Sequence, residues 1–207
     1  MNIISMDAYI FDLFGTVVTN YKHILWKDMI EGTFSEIEPK KLGEVLKKDH
    51  GSEKKCLLKI KEKFHLDWDI EKDQKKLAII KDWRDAQTFY PNVKKVLIQL
   101  LKRGHKLALL SNNNNFCEDV INRLHVVDLF DVIILSHKAS LTKPDPRVYN
   151  SCLEKLGAKA ENTISIGDNL QKDVLAPIKM GMKGILFDPL NKHPNFKLNI
   201  SNMKELL

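Results

Sequence analysis

An α/β fold, a doubly wound parallel sheet carrying an inserted helical segment, is what this 207-residue sequence predicts. Three observations point to it. From Phe89 onward short apolar runs alternate strictly with amphipathic segments of helical period, the pattern of parallel strands joined by crossover helices. An earlier apolar run, Tyr9-Ile10-Phe11, ends in Asp12 and turns at once. Between these two regions, residues 17 to 88 place their apolar side chains only at helical spacing.

Taken in order, Tyr9 to Phe11 predicts a buried strand with Asp12 at its carboxyl end, the rim of a parallel sheet where ligands bind. Four apolar stripes follow: Ile24, Leu25, Met29 and Ile30; Leu42, Val45 and Leu46; Cys56, Leu57, Ile60 and Phe64; and Ile70, Leu77, Ile80 and Trp83. They predict four helices separated by Gly32, Gly51 and the Phe64 to Asp69 stretch, the second entered through Glu38-Pro39, where proline suits a first turn. No strand candidate interrupts them, and Trp26, Trp68 and Trp83 are expected in the interior of this bundle. Further on, helices are expected over Asn92 to Arg103, Phe116 to Leu124, Arg147 to Leu156 and Leu170 to Met180, the last made irregular by Pro177. Strands are expected over Lys106 to Leu110, Val132 to Leu135, Thr163 to Ile166 and Lys183 to Phe187. The tail after Pro189 carries no clear pattern. The expected organisation is a core of residues 1–16 and 89–207 with a helical module of residues 17–88.

Composition narrows the functional classes. The net charge of +6 is spread thinly, with 16 basic against 14 acidic residues in the inserted segment, so no basic stripe marks a nucleic-acid surface. No apolar stretch reaches the roughly 20 residues of a membrane span. Three cysteines, Cys56, Cys117 and Cys152, lack metal-type spacing and fit reduced thiols, which makes the cytoplasm the expected compartment. Oligomeric state stays open.

Four polar groups fall at or just after expected strand ends: Asp12, Ser111-Asn112, Lys143 in the loop Thr142-Lys143-Pro144-Asp145-Pro146, and Gly167-Asp168. Each alone has a plain structural explanation, such as capping a helix. On one rim they form a set suited to attack on phosphorus. A carboxylate can serve as nucleophile once charge is offset, Asp12 and Asp168 with the Phe14 carbonyl supply hard oxygen ligands for Mg²⁺, and Ser111 with Lys143 can hold the transferring oxygens.

Together the four segments resemble the haloacid dehalogenase superfamily. Asp12-Leu13-Phe14-Gly15-Thr16 is similar to its first motif, Ser111-Asn112 to its second, Lys143-Pro144-Asp145-Pro146 to its third, and Gly167-Asp168 with Asp173 to its fourth. The resemblance implies a Rossmann-like core, a helical cap between the first and second motifs and, most commonly, phosphatase activity on a small phosphorylated metabolite. It implies Asp12 as nucleophile, Ser111 and Lys143 as phosphoryl anchors, and Asp168 as a metal ligand beside Asp12 and Phe14, with Asp173 a weaker candidate. Asn112 is expected to bind substrate through its amide, Asn113 to Asn115 to form the turn and cap the next helix, and Thr16 to stabilise the first turn.

Phe14 departs from the family phosphatases, which carry aspartate there as general acid and base, a contribution of roughly 100- to 10,000-fold. An aromatic residue at this position resembles the superfamily's dehalogenases, the runner-up reading. Two features oppose it: Asp168 adds a carboxylate that would repel Asp12 without a cation between them, and residues 17 to 83 contain no arginine to match a dehalogenase cap arginine. A member that binds phosphate and Mg²⁺ with little turnover is the third reading. Of the cap residues that could supply a proton instead, His23 and His50 are each expected to be surface histidines.

Overall fold

The computed structural model describes residues 6–22, 26–67 and 70–207, with the backbone alone for residues 26, 27 and 70–73. His23, Ile24, Leu25 and Trp68 lie outside the described residues, as do the side chains of Trp26 and Ile70.

Strand β1 (Ala8–Phe11) has every side chain buried, as an apolar run covered on both faces requires. The chain then forms β2 (Val18–Asn20), four helices α1 (Trp26–Phe34), α2 (Pro39–Leu46), α3 (Glu53–Lys63) and α4 (Ile70–Asp85), and β3 (Gln87–Phe89). Next come α5 (Val93–Lys102), β4 (Lys106–Ser111), α6 (Glu118–Arg123), β5 (Val132–Leu135), α7 (Ser136–Ala139), α8 (Pro146–Leu156), β6 (Thr163–Gly167), α9 (Ala176–Lys179), β7 (Lys183–Phe187) and β8 (Asn199–Ile200). The main sheet has the order β5-β4-β1-β6-β7-β8, and every pair in it is parallel.

One face of the sheet packs Tyr9, Phe11, Leu107, Leu109 and Ile166 against Val93, Val96, Leu97 and Leu100 of α5. The other packs Ala8, Ile10, Ala108 and Leu110 against Val148, Tyr149, Cys152 and Leu156 of α8. Alternate residues of β1 thus serve opposite layers, and the fold is the expected Rossmann-like α/β architecture. Phe11 pairs with Leu109 of β4 and Ile166 of β6, so the residues that follow these three emerge at one rim.

The helical segment does not close on itself. Met29, Phe34, Leu42, Val45, Cys56, Ile60, Ile80 and Trp83 share one apolar cluster with Phe116, Cys117 and Val120, which follow β4. The rings of Phe34 and Phe116 stack at 6.3 Å, and Arg84 pairs with Asp119 at 2.8 Å. Because Phe116 is fully buried across this seam, Phe116→Ala is expected to cost about 3–5 kcal/mol, measurable as a lower denaturant midpoint.

Several expectations need correction. Gly32 lies inside α1 rather than between helices, since helix packing tolerates the roughly 1 kcal/mol that glycine costs there. Gly51 does separate α2 from α3, at φ +76°. The stretch expected to be wholly helical begins and ends in strand: β2 and β3 pair antiparallel, Val18 opposite Phe89 and Asn20 opposite Gln87, and form a stem from which the helices depart. Three-residue strands are too short for an alternating pattern to register. The unpatterned tail adds β8 to the sheet edge beside β7. Leu170 to Met180 starts as a π-helical turn (Leu170–Leu175) and continues as α9, with Pro177 in the first turn of the latter. Trp83 is buried as expected. No helix among the described residues is long and apolar enough to cross a membrane.

Candidate active site

Asp12 follows β1, Ser111 is the last residue of β4, Lys143 lies in the loop after α7, and Asp168 follows β6. The shared rim brings them together. The Lys143 ammonium donates to Asp12 Oδ1 and to Asp173 Oδ1, both at 2.6 Å, and the side chains of Lys143 and Asp173 are almost wholly buried. One carboxylate oxygen from each of Asp12, Asp168 and Asp173 lies within 4.8 Å of the other two.

The backbone is shaped around these acids. Gly15, at φ +84°, sits so close to Asp168 that a Cβ there would fall 2.4 Å from its Oδ2. A Cβ on Gly167 would fall 2.3 Å from the Asp173 carboxylate. Both glycines are therefore fixed by the approach of a carboxylate. Asp173 also accepts from the Asn169 N–H at 3.0 Å, and its carbonyl accepts from Ser165 Oγ at 2.7 Å. With both carboxylate oxygens engaged, Asp173 reads as the orienting partner of Lys143 more than as a free ligand.

Three carboxylates against one ammonium leave the site short of positive charge. Burial pushes Asp12 up to about 7; Lys143 pulls it back, while Asp173 and then Asp168 push it further. Asp168 faces solvent on one side, yet loss of solvation followed by the charge of Asp173 raises it to about 6. Burial disfavours the Lys143 ammonium, but its two carboxylate partners outweigh that and hold it above the ordinary lysine range. A hard divalent cation between the acids would supply the missing charge, and the donor set of hard carboxylate oxygens fits Mg²⁺.

Two supporting residues have roles in the backbone around the site. Asn112 was expected to bind substrate; its amide instead clamps the backbone of Lys143, donating to the Lys143 carbonyl at 2.9 Å and accepting from the Lys143 N–H at 2.8 Å. Thr16, expected to stabilise the first turn, contributes to it through its backbone N–H, which donates to the Leu13 carbonyl at 3.4 Å, while its buried hydroxyl has no hydrogen-bond partner. Backbone bonds close that turn: Gly15 N–H to the Val18 carbonyl, and the Val17 and Val18 N–H groups to the Leu13 carbonyl.

Sequence reasoning also missed how the asparagine run divides its work. Asn113 reaches His137 of α7, Asn114 caps the turn before α6 through the Phe116 N–H, and Asn115 bonds Asp49 and the His50 N–H between α2 and α3. Four consecutive carboxamides after a strand end were the available signal, since such residues fix loops through side-chain bonds to backbone. His50 binds the Val45 carbonyl through Nε2 and is thus engaged in the helical layer.

Phe14 has a definite place. Its ring lies 5.4 Å from that of Trp83 and touches both the cluster under the sheet and that of the helical segment. A cleft of about 50 Å³ opens beside Asp168, lined by Gly15, Tyr90, Asp188, Lys192 and His193 among others. A cavity of about 390 Å³, between α6, β5 and α7, contains none of the motif residues.

Residues 9–187 match the sequence model of the haloacid dehalogenase-like hydrolases, and the chain belongs to that family. Among curated relatives, a glyceraldehyde 3-phosphate phosphatase of Methanothermobacter thermautotrophicus is 29% identical over 98 residues, 47% of this chain and 43% of that protein. The haloacid dehalogenase-like hydrolase domain-containing protein 3 of Bos taurus is 33% identical over 85 residues, 41% of this chain and 34% of its own length. The chain thus spans less than half of these relatives. In fold it is similar to a phosphatase of the family from Thermococcus onnurineus, with TM-score 0.67 at 20% identity over 97% of this chain and 96% of that one. An enzyme of the family from Bacteroides thetaiotaomicron, crystallised with magnesium and inorganic phosphate, gives TM-score 0.67 at 17% identity over 88% and 94%. A 2-haloacid dehalogenase from Pseudomonas syringae gives 0.65 at 17% identity over 97% and 96%.

Proposed function

We propose that this protein is a magnesium-dependent phosphohydrolase of the cytoplasm that acts on a small phosphorylated metabolite through an aspartyl-phosphate at Asp12. The observation that carries the reading is the buried contact of Lys143 with both Asp12 and Asp173 beside Asp168, a carboxylate-rich pocket that lacks one divalent cation's worth of charge. The curated relatives named as phosphatases support it, and so do the reduced, buried cysteines, whose thiols are pushed up to about 12 by burial and are unfit as nucleophiles.

In this reading an oxygen of Asp12 attacks phosphorus, the bond to the leaving oxygen breaks, and that oxygen departs with the bonding pair. Ser111 and the Lys143 ammonium hold the phosphoryl oxygens, while Asp173 and Asn112 fix where Lys143 points. Asp12, Asp168 and the Phe14 carbonyl would hold Mg²⁺, which when bound neutralises charge on the phosphoryl group. Water then attacks phosphorus and restores Asp12. Residues 17–88 act as a cap over this rim. Because Phe14 carries no proton, leaving groups that depart unprotonated, such as those of acyl and aryl phosphates, are favoured.

The test is phosphate release from acetyl phosphate and an aryl phosphate. It is expected with Mg²⁺ and lost on chelation. The dehalogenase reading draws on Phe14, and halide release from a 2-haloacid in the presence of chelator would replace the present reading with it. Anion binding with no turnover on either panel would leave a binding protein in place of an enzyme.

A further inference from the structure

Strand β7 lies beside β6 with Leu186 opposite Gly167, so Asp188, just past the end of β7, opens a loop next to the one that carries Asp168. That loop is held from within. The buried Asp188 carboxylate accepts the Lys192 N–H at 2.9 Å through one oxygen and the His193 N–H at 2.7 Å through the other, while the Asp188 N–H donates to the Ile200 carbonyl at 2.9 Å. Both oxygens of the acid are thus committed to backbone, which fixes the shape of residues 188–193. The side chains at its end are not committed. Among the described residues neither the Lys192 ammonium nor the His193 ring makes a hydrogen bond or an ion pair, and both line the cleft that opens beside Gly15 and Asp168.

Packing gives a direction to anything attached to a phosphoryl group at Asp12. On the side of the helical segment apolar rings fill the gap, Phe14 against Trp83 at 5.4 Å and Phe34 against Phe116 at 6.3 Å. On the side of residues 188–193 the cleft is open, and one wall is steadied by Tyr90, whose ring stands edge-on to Phe187 at 5.0 Å. Its volume, about 50 Å³, is a third of the roughly 150 Å³ of a cavity that holds benzene, so it suits a short chain better than a ring.

Charge decides what that chain carries. Asp188 is spent on backbone and Asp168 faces the cation site, which leaves an ammonium and an imidazole for an incoming group that accepts hydrogen bonds. Lys192 stands close enough to Asp168 for its charge to act there, behind burial and the charges of Asp173 and Lys143. We propose that Lys192 and His193 form a subsite for a negative charge at the far end of the leaving group, so that the substrates are small phosphorylated acids with a carboxylate or a second phosphate a few bonds from the phosphoryl group. The loop after β7 then selects the substrate together with the helical segment. This rests on the phosphohydrolase reading and names the substrate class of that same site.

The experiment measures dissociation constants by calorimetry in Mg²⁺ for orthophosphate and for three non-hydrolysable phosphonates: 3-phosphonopropionate, its neutral carboxamide and ethylenediphosphonate. The acid is expected to bind about tenfold more tightly than the carboxamide, the combined worth of an exposed ion pair and one imidazole hydrogen bond. Lys192→Met and His193→Ala should each lose part of that ratio and the double variant all of it, while Lys192→Arg should keep it. Tighter binding of ethylenediphosphonate than of 3-phosphonopropionate assigns the charge to a second phosphate, and the reverse order assigns it to a carboxylate. Equal affinity for acid and carboxamide overturns the subsite, as does a preference for the acid that survives in the double variant. Wild-type protein that binds neither orthophosphate nor any phosphonate overturns the phosphohydrolase reading, and the subsite with it.

Discussion

Asp12→Asn is expected to abolish turnover, by on the order of 10⁴-fold or more, because a carboxamide cannot form the covalent intermediate and other groups cannot substitute for a missing nucleophile. The fold should persist. Asp12 is a nearly buried acid whose folded value, about 7, lies above the roughly 4 of an unfolded carboxylate. A carboxylate raised on folding subtracts stability above its unfolded value, so metal-free wild-type protein should lose stability as pH rises from about 4 towards about 7. Asp12→Asn should lack that contribution to the decline. Phosphate release together with denaturant unfolding at several pH values checks both halves; retained turnover would remove Asp12 from the nucleophile's role.

The second large effect is expected from Phe14→Asp, and it has two signs. The partly buried Phe14 ring closes a seam between sheet and helical segment against Trp83, so its loss should lower stability by less than the roughly 3–5 kcal/mol of a fully buried aromatic truncation. A carboxyl group at this position can also protonate a leaving alkoxide, so alkyl phosphate hydrolysis by the folded fraction should rise by about 100-fold, the lower end of general acid help. Phe14→Leu is the control: it should retain most of the stability and gain nothing. Unchanged stability in the aspartate variant would show that the ring does not hold the seam. Unchanged alkyl phosphate hydrolysis would show that an acid at residue 14 does not reach the leaving group.

Much of this was legible in the chain. Asp12, Ser111, Lys143 and Asp168 could be located because each follows an apolar run, and parallel strands deliver such ends to one rim. The five strands carrying that rim were long enough to show as apolar runs, and their register does the rest. The β2–β3 stem was hidden because three residues cannot display a period. The role of Asn112 was hidden for a different reason: its partner is the main chain of Lys143, and backbone leaves no trace in residue identity. Phe14 could be read as a missing acid but not as a contact to Trp83, since pairing two aromatic residues 69 positions apart requires the fold. His137 and Glu118 gave no signal at all; only the turn from β5 into α7 brings that ring against the loop after β4.

The most direct test of a covalent reaction at Asp12 is to trap it. Without an acid or base at residue 14, hydrolysis of the aspartyl-phosphate should be slower than its formation from acetyl phosphate, so the intermediate should accumulate. Rapid acid quench of the protein with Mg²⁺ and acetyl phosphate, followed by borohydride reduction and peptide mass spectrometry, is expected to find homoserine in place of Asp12, and none when chelator is present. Steady phosphate release with Asp12 unmodified at every quench time would contradict the account.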